Sequence, residues 1–305
     1  MEVKFDFGKE RKLGEIVQDF VNLLRLVIRH FAQTMFKLAV LPLCAMLVLI
    51  YYGTTRINLK SNLFFTESAE MLLLVFIGII ALLVFTTVFF GLGMEYFILL
   101  KNKKSTDFDA KSVVRSFRGH IGKYLKFLVV SIVAGLLLSI PLLLGVGILS
   151  FIPFIGSFAA GILMAFVGTW FACSFLFYRE GYYGLTDTIQ QTFGLLKKKF
   201  IDYGVSSYVV GMVFQILLMM LTIIPSVIVG IIAYNTLGFT DTFFDTFAGR
   251  MLTALGGTVL IVLYLVYYLL SVLVYGIIYE TAKEMKYGED VYDKINSLGR
   301  GNDAQ

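Results

Sequence analysis

The sequence predicts an all-α integral membrane protein: six transmembrane helices forming three like-oriented hairpins, each preceded by a cytoplasmic amphipathic helix. Three observations carry this expectation. Of 305 residues, 58% are hydrophobic and 15% charged, with a mean hydropathy of +0.83, which is more apolar surface than a soluble globule of this length can hide. The apolar residues gather into six runs, each long enough to cross a hydrocarbon core of roughly 30 Å as a helix. The 26 Lys and Arg residues, against 21 acids, are parcelled between those runs. They form no single basic face, so no nucleic-acid partner is expected and membrane topology accounts for their placement.

Taken in order, the chain opens on a charged segment through Lys12 with no apolar stretch leading to a small-residue cleavage site, so no removable signal peptide is expected. Leu13, Ile16, Val17, Phe20, Leu23, Leu24, Val27, Ile28 and Phe31 then recur at helical spacing, with Glu15, Gln18, Asp19, Asn22, Arg25 and Arg29 on the other face. This pattern predicts an amphipathic helix lying on the membrane surface. The first span follows to Tyr52, and the second runs from Met71 to Leu100 beyond a polar loop at 54–70. The next link is the densest basic cluster, from Lys101 to Lys126, in which Asp109 is an expected helix N-cap and Val113, Val114, Phe117 and Ile121 an apolar stripe.

The third span, Phe127–Leu149, turns through Ser150–Gly156 into a fourth ending near Tyr178. A connection this short and uncharged predicts a tight turn. Beyond it, Leu185, Ile189, Phe193, Leu196 and Phe200 form the stripe of a third amphipathic segment ending in Lys197, Lys198 and Lys199, with Thr186 or Asp187 as its cap. The fifth span covers Tyr203–Tyr234 and the sixth Met251–Tyr279, followed by a charged tail expected to fray. The loops at 54–70, 150–156 and 235–250 hold only Arg56, Lys60 and Arg250, whereas the other 23 basic residues lie on the opposite set of segments. The positive-inside bias therefore predicts cytoplasmic N- and C-termini.

A threefold repeat is expected within a single transmembrane domain at 1–280, with units at about 10–100, 101–180 and 181–280 and a cytoplasmic tail at 281–305. The lead-in segments align as Ile16 to Phe20, Val113 to Phe117 and Ile189 to Phe193, each ending in an oxygen-bearing short residue and then Phe. Each leads to a span with one proline, Pro42, Pro141 or Pro225, and each return span ends near a tyrosine, Tyr96, Tyr178 or Tyr279. The prolines either shape packing or open a cavity between bent helices.

Catalytic parts are not apparent. His30 and His120 belong to no metal-spacing motif, there is no nucleophile elbow or phosphate loop, and Cys44 and Cys173 sit in apolar runs. No cofactor or metal is expected. Glu95 alone among ionisable residues enters a span, near its inner end, and with Glu180 and Glu280 it lies beside an exit tyrosine, where solvation or pairing with Lys and Arg is expected. Arg115, Arg118, Lys197, Lys198 and Lys199 are the candidate lipid-headgroup contacts, each basic side chain near an anionic leaflet being worth about 1 kcal/mol. Orientation alone would also account for them.

Mitochondrial carriers share six spans in three pairs, but the prolines here are followed by apolar or small residues rather than that family's acidic and basic signature. Arg115-Ser116-Phe117 and Thr192-Phe193, hydroxyl–aromatic pairs leading to proline-bearing spans, resemble those of uncharacterised bacterial six-span families related to the membrane-anchor region of glycerophosphodiester phosphodiesterases. The resemblance extends over nearly the whole chain. It implies a membrane module without phosphodiesterase activity, since no His-Arg-Gly motif occurs. The expected function is a non-enzymatic protein of the bacterial inner membrane that binds lipids, anionic ones among them, or a membrane-protein partner or second copy of itself. The alternative is a transporter or flippase-like protein for an amphipathic or uncharged substrate.

Overall fold

Apolar runs bounded by charged links fold as long helices. The computed structural model describes residues 2–56, 69–237 and 247–288. They form α1 (Leu13–Arg56), α2 (Ala69–Lys103), α3 (Ala110–Ser150), α4 (Ile155–Glu180), α5 (Asp187–Leu196), a 3-10 turn (Lys197–Lys199), α6 (Phe200–Leu237) and α7 (Phe247–Tyr287). No strand occurs among the described residues, only an isolated antiparallel bridge between Glu2 and Ser105. Six helical stretches are long and apolar enough to cross a membrane, the make-up of a multi-pass membrane protein. Of the loop expected at 54–70, residues 54–56 and 69–70 belong to α1 and α2 and 57–68 lie outside the described residues, as do 238–246 of that expected at 235–250 and the tail from residue 289.

The first two amphipathic segments do not form separate surface helices. α3 runs 41 residues without interruption, about 60 Å of helix and twice the hydrocarbon thickness. It offers no break at which residues 110–126 could turn to lie along a surface. α1 is likewise continuous from Leu13 through Pro42 to Arg56. Only the third segment is jointed, where the 3-10 turn Lys197–Lys199 separates α5 from α6.

Contacts divide the chain into two compact units. The first comprises Met1–Ala32, Gly91–Met212 and Leu270–Gln305, and the second Gln33–Phe90 and Val213–Leu269. The first unit holds most of the buried side chains, among them Tyr96, Phe97, Phe175, Phe177, Leu196, Tyr203 and Tyr279. In the second, the tilted rings of Phe85 and Phe89 lie 4.6 Å apart and those of Phe90 and Tyr268 5.3 Å apart. Leu41, Val48, Phe76, Ile79 and Leu260 there stand exposed, an apolar surface suited to lipid rather than water.

Of the stripe expected in α1, Ile16, Phe20, Leu23, Val27 and Phe31 are buried, whereas Ile28 is exposed. In α3 the buried line runs Val113, Phe117, Tyr124, Phe127, while Ile121 is exposed. α5 departs from expectation. It buries Thr188, Thr192, Leu195 and Leu196, of which only Leu196 belongs to the expected stripe, and leaves Phe193 exposed, as Phe200 is at the start of α6. On that face the Thr188 hydroxyl donates to the Ser174 carbonyl at 2.8 Å, beside the buried Leu195 and Leu196.

Between Phe127 and Tyr178 the sequence contains no charged residue. At the middle of this stretch α3 and α4 are joined by Phe151–Phe154, with Phe151 and Phe154 almost fully exposed. Gly156 permits the turn, since a Cβ there would lie 1.7 Å from the Leu149 carbonyl oxygen. Gly156→Ala is expected to destabilise the protein by at least about 2 kcal/mol, read as thermal unfolding in detergent. Gly145→Ala, whose nearest neighbour would be 3.8 Å away, is expected to match or exceed wild type because alanine favours helix.

Asp109 caps α3 as its sequence position predicts. Its Oδ1 accepts from the Ser112 hydroxyl at 2.7 Å and the Ser112 N–H at 2.9 Å, and these bonds hold its carboxyl below the ordinary value of 3.8. A depressed carboxylate contributes stability that is fully present above the unfolded pKa and is lost as pH falls through the folded one. Asp109→Ala is therefore expected to lower Tm at pH 7 and to lower it less at pH 3. Equal deficits at both would remove the ionised cap from the account.

Candidate functional site

Among the described residues, the ion pairs at the helix ends lie in the first unit. Glu95, near the end of α2, is fully buried, and a buried carboxylate stays ionised only with strong partners. Arg179 of α4 supplies a forked pair, Nε at 2.7 Å and Nη2 at 2.9 Å. From α3, the Ser116 hydroxyl donates at 2.7 Å and the Tyr124 hydroxyl at 3.0 Å. Four donors thus converge on two oxygens. Lys123 Nζ donates to the Arg179 carbonyl at 2.9 Å, fastening the end of α4 to α3. A Cβ on Gly91 would fall 2.4 Å from the Phe117 ring, so the close approach of α2 and α3 requires glycine there.

The other two carboxylates share a cation. Lys101 Nζ contacts Glu180 and lies 2.9 Å from Glu280 Oε1, while the Tyr279 hydroxyl donates to Glu180 Oε2 at 2.5 Å. The three acids beside the exit tyrosines are therefore paired, two of them through one lysine, and they tie α2, α4 and α7 together. Sequence reasoning raised pairing as an expectation but did not single out Arg179 or Lys101. The signal was available: an acid inside an apolar run requires a cation, and these two sit at the ends of neighbouring runs.

Arg11 was missed altogether. It is 1% exposed, donating to Asp19 Oδ2 at 2.7 Å, to the Phe7 and Lys9 carbonyls at 3.1 and 2.8 Å, and to the Asp6 carbonyl. With Val3 and Phe7 also buried and the Val3 N–H bonded to the Lys104 carbonyl at 2.8 Å, the N-terminal arm is an integral part of the first unit. His30 is structural as well. Its Nε2 lies 2.9 Å from the Phe108 carbonyl, which can only accept, so Nδ1 is the acceptor for the Tyr96 hydroxyl at 2.9 Å. No group of three metal-ligating side chains occurs among the described residues.

The candidate headgroup residues behave differently. Arg115 and Arg118 stand exposed on α3, and Lys197 and Lys198 stand exposed in the 3-10 turn. None of the four has an ion pair among the described residues. Lys199 is half-buried and pairs with Glu10 at 2.6 Å. Lys197 and Lys198 line one groove of about 630 Å³ together with Lys286 of α7; Arg115 and Arg118 are not part of it.

No protein-family model, curated protein or solved structure matches this chain.

Truncating one partner of a buried pair strands the other. Arg179→Met is expected to cost about 3–5 kcal/mol, and Arg179→Met combined with Glu95→Gln less than the sum of the single changes, in a double-mutant unfolding cycle. Additive losses would show that the two residues act separately.

Proposed function

We propose that the chain is a non-enzymatic multi-pass protein of the bacterial inner membrane, with cytoplasmic termini, that engages anionic lipid headgroups or a membrane partner through its basic helix-end segments. The supporting observation is how the cations sort. Arg11, Lys101, Arg179 and Lys199 neutralise carboxylates of the protein itself, whereas Arg115, Arg118, Lys197 and Lys198 are exposed without such partners among the described residues. Basic side chains held in this way are available to phosphate groups.

The one-sided distribution of Lys and Arg supports the cytoplasmic orientation. The threefold arrangement of hairpins belongs to this reading too, and so does the likeness to the anchor modules of glycerophosphodiester phosphodiesterases. In its favour, Phe117 and Phe193 each meet the preceding long helix, Phe117 at Gly91 and Phe193 against Trp170 at 4.8 Å. The transport reading has less support, because the charged residues buried among the described residues, Arg11, Glu95, Glu280, Lys283 and Glu284, lie in the N-terminal arm or toward the ends of α2 and α7 rather than at mid-span.

The test is flotation with liposomes of mixed zwitterionic and anionic phospholipid, followed by lipid analysis of the repurified protein. Changing Arg115, Arg118, Lys197 and Lys198 to Gln is expected to reduce retained anionic lipid at least tenfold, given about 1 kcal/mol per basic residue. Unchanged retention would leave those charges with a topological role only.

A further inference from the structure

Two surface grooves of the first unit differ in charge. One, of about 430 Å³, carries Lys4, Lys9 and Arg25 beside Asp6 and Asp19, so its cations face acids of the same groove. The other, of about 630 Å³, carries Lys197, Lys198 and Lys286 with no carboxylate among the described residues of its lining. Three ammonium groups around one concavity repel one another unless an anion joins them. We propose that this groove, between the end of α5 and the end of α7, is a binding site for the phosphate group of an anionic membrane phospholipid, an inference that rests on the headgroup reading above and narrows it to one place.

The geometry favours a phosphate ester with an apolar portion. Lys286 Nζ donates to the Tyr183 hydroxyl at 2.7 Å and lies 4.8 Å and 5.2 Å from the centres of the Tyr183 and Tyr287 rings. Its position is thus held by two neutral phenols, and among the described residues no carboxylate pairs with it. Gln190 adds an amide to the polar side, while Phe193 and Met285 give the groove an apolar wall. The 3-10 turn bearing Lys197 and Lys198 is followed at once by Phe200 and Ile201, both exposed. Charged and lipid-suited surfaces therefore meet within one helical turn, the change of character found at headgroup depth. A soluble phosphate ester would use the lysines but not the apolar wall.

The experiment is native mass spectrometry of the full chain in detergent, titrated separately with phosphatidylglycerol, phosphatidylcholine and glycerol 3-phosphate. Wild type, K197Q/K198Q/K286Q and R115Q/R118Q are compared, with circular dichroism to confirm equal helicity. The expected result is phosphatidylglycerol binding that exceeds phosphatidylcholine binding in wild type, falls roughly 100-fold in the triple variant and is largely kept in R115Q/R118Q. Undiminished binding in K197Q/K198Q/K286Q would overturn the site. If R115Q/R118Q alone lost the lipid, the groove would fail while the headgroup reading stood; if neither variant lost it, both would fail. Glycerol 3-phosphate binding as tightly as phosphatidylglycerol would overturn the lipid assignment in favour of a soluble phosphate ester.

Discussion

A fully buried carboxylate near the end of an apolar helix is the constraint on which the first unit depends. The hydrogen-bonding requirement of Glu95 is met from two other helices, by the Arg179 fork and by two hydroxyls of α3. Apolar helices in lipid gain little from hiding apolar surface against one another, so directional polar contacts carry more of the specification of which helices meet and in what register. The Lys101 bridge to Glu180 and Glu280 extends the same principle to α7.

The residues that specify membrane spans are numerous and contiguous, and those that specify helix pairing are few and far apart. That difference set what could be read from the chain. Six apolar runs gave their helices to within a few residues at most ends, and Asp109 was recognisable as a cap because capping is local. The buried face of α5 was not legible. Its Phe and Ile positions suggested one side, yet a phenylalanine facing an apolar medium forfeits nothing, whereas Thr188 buried without the Ser174 carbonyl would be costly. Arg11 was equally opaque, since its acceptors are mainly backbone carbonyls, and carbonyls are the same whatever the sequence. The basic candidates were legible as a class. Only the structure separates Lys199, held by Glu10, from Lys197 and Lys198 beside it.

Paired and unpaired cations bear differently on the proposed headgroup role. A topological signal needs only net charge on one side of the membrane, and paired and unpaired lysines serve it alike during insertion. Persistence of unpaired lysines in a folded groove, beside neighbours whose charge is neutralised internally, is a separate property with its own electrostatic cost.

The uncharged stretch from Phe127 to Tyr178 bears on how the protein comes to be in a membrane at all. Carrying a charged side chain through hydrocarbon is among the largest barriers to inserting a helix pair. The turn between α3 and α4, with Phe151 and Phe154 at its tip, brings no such load. That pair can enter the bilayer together, from the side on which Lys126 and Arg179 stay behind, with no charge crossing the membrane and no help from the membrane potential.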